Sequence, residues 1–153
     1  MSDFVSIVIQ DDQVQRALRR LESSVADMTP AMRTIAASLA FITEENFEAE
    51  GRPSWTPSQR AANDGGVTLQ HRGQLAASVV TDYDSRSSQI GSNLDYARIH
   101  QLGGHAGRNQ AVELEPRPYL PMNEDGELQP EAGEAVIGAV MRHLQHAAGT
   151  GMR

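Results

Sequence analysis

The chain has 153 residues, a length that suggests one domain of ordinary size. Its 13 basic and 20 acidic residues leave a net charge of −7, and an acidic surface argues against tight binding to a nucleic-acid backbone. There is no cysteine, which excludes disulfides and thiolate metal sites and agrees with assembly in a reducing cytoplasm.

Hydrophobic residues make up 39% of the chain and aromatics 5%, so the core must rely on Val, Ile, Leu, Met and Ala. Met1 to Phe4 lack a basic region followed by an apolar run, so no signal peptide is expected. No stretch of about 18 apolar residues exists, so no membrane span is expected. Phe4 to Gln10 is rich in β-branched residues and predicts a strand. Val14, Leu18, Leu21, Val25 and Met28 form one apolar stripe on a helix from Gln13 to Asp27. Packing of that stripe within the domain is expected over a coiled coil, because the repeat is short.

Thr29 suits a helix N-cap and Pro30 the first helical position. Met32, Ile35, Leu39 and Ile42 carry a second helix to Glu48, paired with the first. Glu50 to Gly66 is loop-like, and it holds the single tryptophan, Trp55, as an anchor into the domain's own core or into a neighbour. Leu75 to Asp82 and Ser88 to Gly91 predict two strands around a turn at Asp84-Ser85-Arg86. Tyr96 to Leu102 predicts a short helix closed by Gly103. Val112 to Glu115 alternates like a strand. Pro116, Pro118 and Pro121 then keep the chain extended, and Pro130 opens a last helix. The reading is an α+β fold: a small antiparallel sheet packed with an N-terminal helical pair and a C-terminal helix, with long extended loops. A single domain spans residues 1–146, and 147–153 form a loose tail.

Chemistry-bearing residues are sparse. His100 and His105, with Asp95, could form a metal site of a small hydrolase, but the spacing matches no familiar ligand set. A structural His100 at the end of a short helix is preferred. His143 and His146 suit a helix end or solvent. No serine sits in a nucleophile elbow. Gly103 to Gly107 lacks the lysine of a phosphate loop. Glu44, Glu45, Glu48 and Glu50 read as a solvated helix face. No catalytic residue, cofactor or metal is assigned.

Three segments carry a resemblance. Arg72-Gly73-Gln74-Leu75-Ala76-Ala77-Ser78-Val79 is similar to a "T-G-x-L-x-x-S-I" pattern, with Arg72 where threonine is usual. Tyr96-Ala97-Arg98-Ile99-His100-Gln101-Leu102-Gly103-Gly104 matches "Y-A-x-I-H-Q-x-G-G". Pro116-Arg117-Pro118-Tyr119-Leu120 resembles "P-A-R-P-F-L" with one residue fewer. In this order they resemble the virion morphogenesis, or tail completion, proteins of Mu-like tailed phages. That resemblance implies a structural subunit of the head–tail junction, present in the host cytoplasm during assembly. It implies a closed ring, hexameric by analogy with tail symmetry, in contact with neighbouring neck and tail proteins. Encapsidated DNA would pass through the lumen without specific binding. Tail terminator and head-side stopper are alternatives within this reading. An adaptor working through the acidic surface is an alternative outside it. Trp55, Tyr96, His100, Arg117, Pro118 and Tyr119 are the expected interface residues: prolines stiffen the strap, Arg117 offers a planar fork, and the tyrosines give rigid contact area.

Overall fold

The computed structural model describes residues 12–149. The strand expected at residues 4–10 lies outside that range. Six helices and two hairpins follow in order: α1 (Asp12–Ala26), α2 (Thr29–Glu48), α3 (Gln59–Asp64), α4 (Gln74–Ser78), β1 (Val80–Tyr83), β2 (Ser88–Gly91), α5 (Ala97–Leu102), β3 (Gly104–Ala106), β4 (Val112–Leu114) and α6 (Pro130–Gly149). The α+β class stands, with the sheet divided into two separate antiparallel pairs, β1–β2 and β3–β4.

Helix α2 is the axis of the molecule. Its apolar stripe buries Ile35, Leu39 and Ile42 against Ala132 and Ala139 of α6, with Met32, Val136, Val140 and Ile90 at the margin. The alanines let the two helices approach closely. The β1–β2 hairpin lies on another side of α2, and Ser88 Oγ donates to the Met32 carbonyl. The hairpin turn is fixed by Asp84, whose carboxylate accepts from the Arg86 and Ser87 amides at 2.7 and 2.8 Å.

The helical pairing differs from expectation. Helix α1 packs along α6, not α2. His143 Nε2 donates to the Ser24 and Asp27 carbonyls at 3.0 and 3.2 Å, which pins the end of α1 to α6. No residue of α1 is buried, and Leu18 and Val25 are 59% and 60% exposed. Among the described residues the apolar stripe is therefore not covered as expected. Thr29 does not cap α2; Asp27 accepts from the Thr29 amide and hydroxyl instead.

Other differences are local. The 50–66 segment is not simple loop: it contains α3, capped by Ser58, which accepts from the Ala61 amide. Gln74 to Ser78 is helical where a strand was expected, because Gln, Leu and Ala favour a helix and Leu75 turns into the core. Strand character starts at Val80. The polar stretch at 104–106 pairs with β4, a partner that its composition did not show. The last helix runs to Gly149, so residues 147–149 are not part of a loose tail.

A second core lies beyond the end of α2, formed by Phe47, Trp55, Leu75, Ala97 and Tyr119. Phe47 stacks on Tyr119 at 5.2 Å between centroids and meets Trp55 edge-on at 6.0 Å. Gly51 makes room for this cluster: a Cβ there would lie 2.5 Å from the Trp55 ring, and its φ of +97° already favours glycine.

Asn46, with no exposed surface, joins the two cores. Its Nδ2 donates to the Tyr119 carbonyl (3.0 Å) and to Gln129 Oε1 (2.8 Å), and its Oδ1 accepts from Arg52 Nε (3.0 Å) and Gln129 Nε2 (3.2 Å). Replacing Asn46 by leucine leaves the buried Tyr119 carbonyl and the partly buried Arg52 and Gln129 side chains without this partner. Asn46→Leu is expected to lower unfolding stability by about 3 kcal/mol in urea titration; a loss under about 0.5 kcal/mol would show that the hub is dispensable.

Candidate functional site: a strap and the basic cavity beside it

Residues 116–122 form a strap that crosses the second core without joining a sheet. Its backbone is satisfied mainly by side chains. The Arg117 amide donates to the His100 carbonyl at 2.8 Å. Trp55 Nε1 donates to the Pro118 carbonyl at 3.1 Å. Gln101, 5% exposed, accepts from the Tyr119 and Leu120 amides at 3.0 and 2.9 Å and donates to the Met122 carbonyl at 3.0 Å. Asn46 takes the Tyr119 carbonyl, and the Gln129 amide takes that of Pro121. Pro118 and Pro121 have no N–H to satisfy. Every backbone N–H from Arg117 to Met122 thus has a partner, as does every carbonyl from Pro118 to Met122.

The segment 96–104 is the strap's counterpart. The Tyr119 hydroxyl donates to the Ala97 carbonyl at 2.9 Å, and burial pushes its pKa up to about 12. Gly103, with φ +71°, lets the chain turn from α5 into β3 against the strap's start. A Cβ at Gly103 would sit 2.8 Å from both the Leu114 carbonyl oxygen and the Pro116 nitrogen.

The expected interface residues divide in two. Trp55 and Tyr119 are 8% and 1% exposed, so they do not offer contact area to a neighbour; they are core residues that hold the strap. Pro118 gives its carbonyl to Trp55. Tyr96, His100 and Arg117 instead line a cavity of about 460 Å³ together with Arg60, His71 and Arg72. No Asp or Glu is among its lining residues. A chain of net charge −7 therefore concentrates positive charge in one concavity.

Arg117 is the unusual member. It is 9% exposed, and its Nε donates to the Thr56 carbonyl at 2.8 Å. Among the described residues its two terminal nitrogens have no hydrogen-bond partner and no carboxylate forms an ion pair with it. The guanidinium end is not sealed in the interior: it opens on the cavity, where its terminal nitrogens are accessible from outside the subunit. His100 sits beside it, edge-on to Tyr96 at 5.8 Å, with Nδ1 buried and without a hydrogen-bond partner. Burial first, and the Arg117 charge second, hold the His100 pKa below its ordinary value.

Asp95 and His105 do not line this cavity. Among the described residues no group of three His, Asp or Glu side chains could hold a metal ion, and no helix is long and apolar enough to cross a membrane.

The family model for phage virion morphogenesis proteins matches residues 9–145. The chain belongs to the phage virion morphogenesis family. Two relatives agree. Mu-like prophage FluMu G protein 2 of Haemophilus influenzae is 36% identical over 108 residues, covering 71% of this chain and 76% of that protein. Putative capsid assembly protein G of Escherichia phage Mu is 32% identical over 142 residues, covering 83% of this chain and 89% of that protein. No solved structure matches. As a family member the chain has a structural role in phage particle morphogenesis. The two most specific sequence segments, 96–104 and 116–121, are the ones the fold mates to each other.

Asn46 and Gln129 were not singled out from sequence, and Gln101 was read only as a position in the segment 96–104, with no role. Asn46 had a signal: it continues the Ile35, Leu39, Ile42 stripe of α2 at helical spacing.

A histidine whose folded pKa lies below its unfolded value takes up protons more readily in the unfolded chain. His100's contribution is therefore intact above its ordinary pKa of 6.5 and is lost as the pH falls below it. The urea midpoint is expected to fall from about pH 7 to about pH 5, with His100→Gln falling less steeply. Parallel profiles for the two proteins would contradict this.

Proposed function

We propose that this protein is a ring-forming tail completion, or neck, subunit that joins the phage tail to the head. Family membership over residues 9–145 carries the reading. Three features of the subunit support it. The strap is already ordered, so little conformational entropy is lost when a neighbour packs on it. Large apolar side chains remain exposed on three helices: Leu18 and Val25 on α1, Phe41 on α2, Ile137 and Met141 on α6. Such surface suits a subunit that is completed by other chains. The terminal nitrogens of Arg117, which open on the cavity without a partner among the described residues, are available to a neighbouring chain.

In the proposed ring, encapsidated DNA passes through the lumen without specific contact, and neck and tail proteins meet the two faces. A head-side role, as a stopper ring, is the second reading, favoured by the words "capsid assembly" in the phage Mu relative's name. A tail terminator is the third form of the same reading.

Electron microscopy of lysates from a phage with an early stop codon in this gene separates them. Filled heads beside separate tails of normal length are expected. Tails of uncontrolled length would indicate a terminator, defective heads a head-side role, and normal infectious particles would overturn the proposal. Arg117→Ala is expected to stay folded, with stability within about 1 kcal/mol of wild type. Its incorporation into particles should drop about tenfold or more. Wild-type incorporation and plating would remove Arg117 from the interface.

A further inference from the structure

The basic cavity and an acidic turn lie at the two ends of the strap. Arg117, at the first end, faces Arg60, Arg72, His71 and His100 across the cavity. Just beyond Met122, at the other end, residues 123–127 form a tight turn. Asn123 Oδ1 accepts from the Asp125 and Glu127 amides at 3.0 and 2.9 Å, and Asn123 Nδ2 donates to Glu127 at 2.9 Å. Glu124, Asp125 and Glu127 are exposed on it. The turn borders a different concavity, with Arg52, Pro53 and Glu131, so it does not fill the basic one.

The two surfaces are complementary in charge and both are preorganised. Arg117 offers two free terminal nitrogens in a fixed plane, oriented by its bond to Thr56, which suits bidentate capture of a carboxylate. The turn holds its carboxylates on a hydrogen-bonded loop, so little freedom is lost when they dock. The strap between them is at most roughly 20 Å long. A donor surface and an acceptor surface at separate places on one subunit make a head-to-tail contact, which repeats and closes a ring when the rotation permits.

We infer that the Arg60–Arg72–Arg117 cavity of one copy receives the acidic turn Glu124–Glu127 of the next copy, an inference that rests on the ring reading above. The ligand is thus the carboxylate of a second copy of this chain, not a free anion. The cavity's lack of any acidic residue and the chain's overall negative charge favour that occupant: the acidic surface of a neighbour needs a cationic site to dock.

Charge exchange tests it. Arg72 is exposed and forms no hydrogen bond that the fold needs, so Arg72→Glu leaves the subunit folded. Sedimentation velocity over a concentration series should show wild-type species larger than a dimer. Arg72→Glu alone, or Glu124→Arg with Asp125→Arg, should weaken association about tenfold or more. An equimolar mixture of these two variants should restore species larger than a dimer, since copies that alternate meet through the wild-type junction and the charge-swapped junction in turn, and both are attractive. The triple variant should again form species larger than a dimer. Wild-type association by both single-surface variants, or no rescue in the mixture and the triple variant, would overturn the inference while leaving the ring intact. A wild-type chain that stops at a dimer would also overturn it. A wild-type chain that stays monomeric and is absent from particles would overturn the ring reading itself.

Discussion

A proline-rich strap that crosses the core outside any sheet poses one problem: its buried peptide groups must find partners. Each group left unpaired costs about 1–3 kcal/mol, so a few failures would consume much of a small domain's stability. Here side chains do what a neighbouring strand would do. Gln101, Asn46 and Trp55 each reach a strap peptide group, and Gln129 adds its amide. These residues come from α5, α2, the segment after α2 and the approach to α6. The strap therefore ties together parts of the chain that the lean apolar clusters alone hold loosely.

The same arrangement shapes the surface. Because α5 must supply Gln101 and the Ala97 carbonyl to the strap, Tyr96 and His100 are carried to the strap's first end, beside Arg117. Arg60 and Arg72 arrive from α3 and the entrance to α4. The cavity is thus a by-product of strap anchoring that has been given charge. Within it, the fold satisfies Arg117 at one nitrogen, and the other two have no partner among the described residues.

Much of the secondary structure was legible because it follows from periodicity and breakers. The apolar stripe of α2, the hairpin at Asp84 and the Pro130 start of α6 are local signals. Helix pairing was not legible: α1 has an apolar stripe, but His143 holds it to α6 and most of the stripe stays exposed. The site was half legible. The segments 96–104 and 116–121 stood out through their resemblance to a family, and Tyr96, His100 and Arg117 do share a cavity. Trp55 and Tyr119 looked like contact residues because aromatics with polar tips serve interfaces and cores alike, and only their partners, Pro118 and Ala97, decide for the core. Gln129 gave no signal, since a glutamine's reach to a distant backbone leaves no mark on spacing; Gln101 stood in the family pattern, but nothing in that pattern showed what it bonds.

The central claim is that the strap belongs to the folded subunit before any partner arrives. Hydrogen exchange of the isolated protein tests it at the Arg117, Tyr119, Leu120 and Met122 amides. The account predicts that they exchange only as fast as the buried amides of α2 around Leu39 and Ile42, through global unfolding. Exchange at the rate of an exposed loop would mean that the strap orders on assembly, and would contradict it.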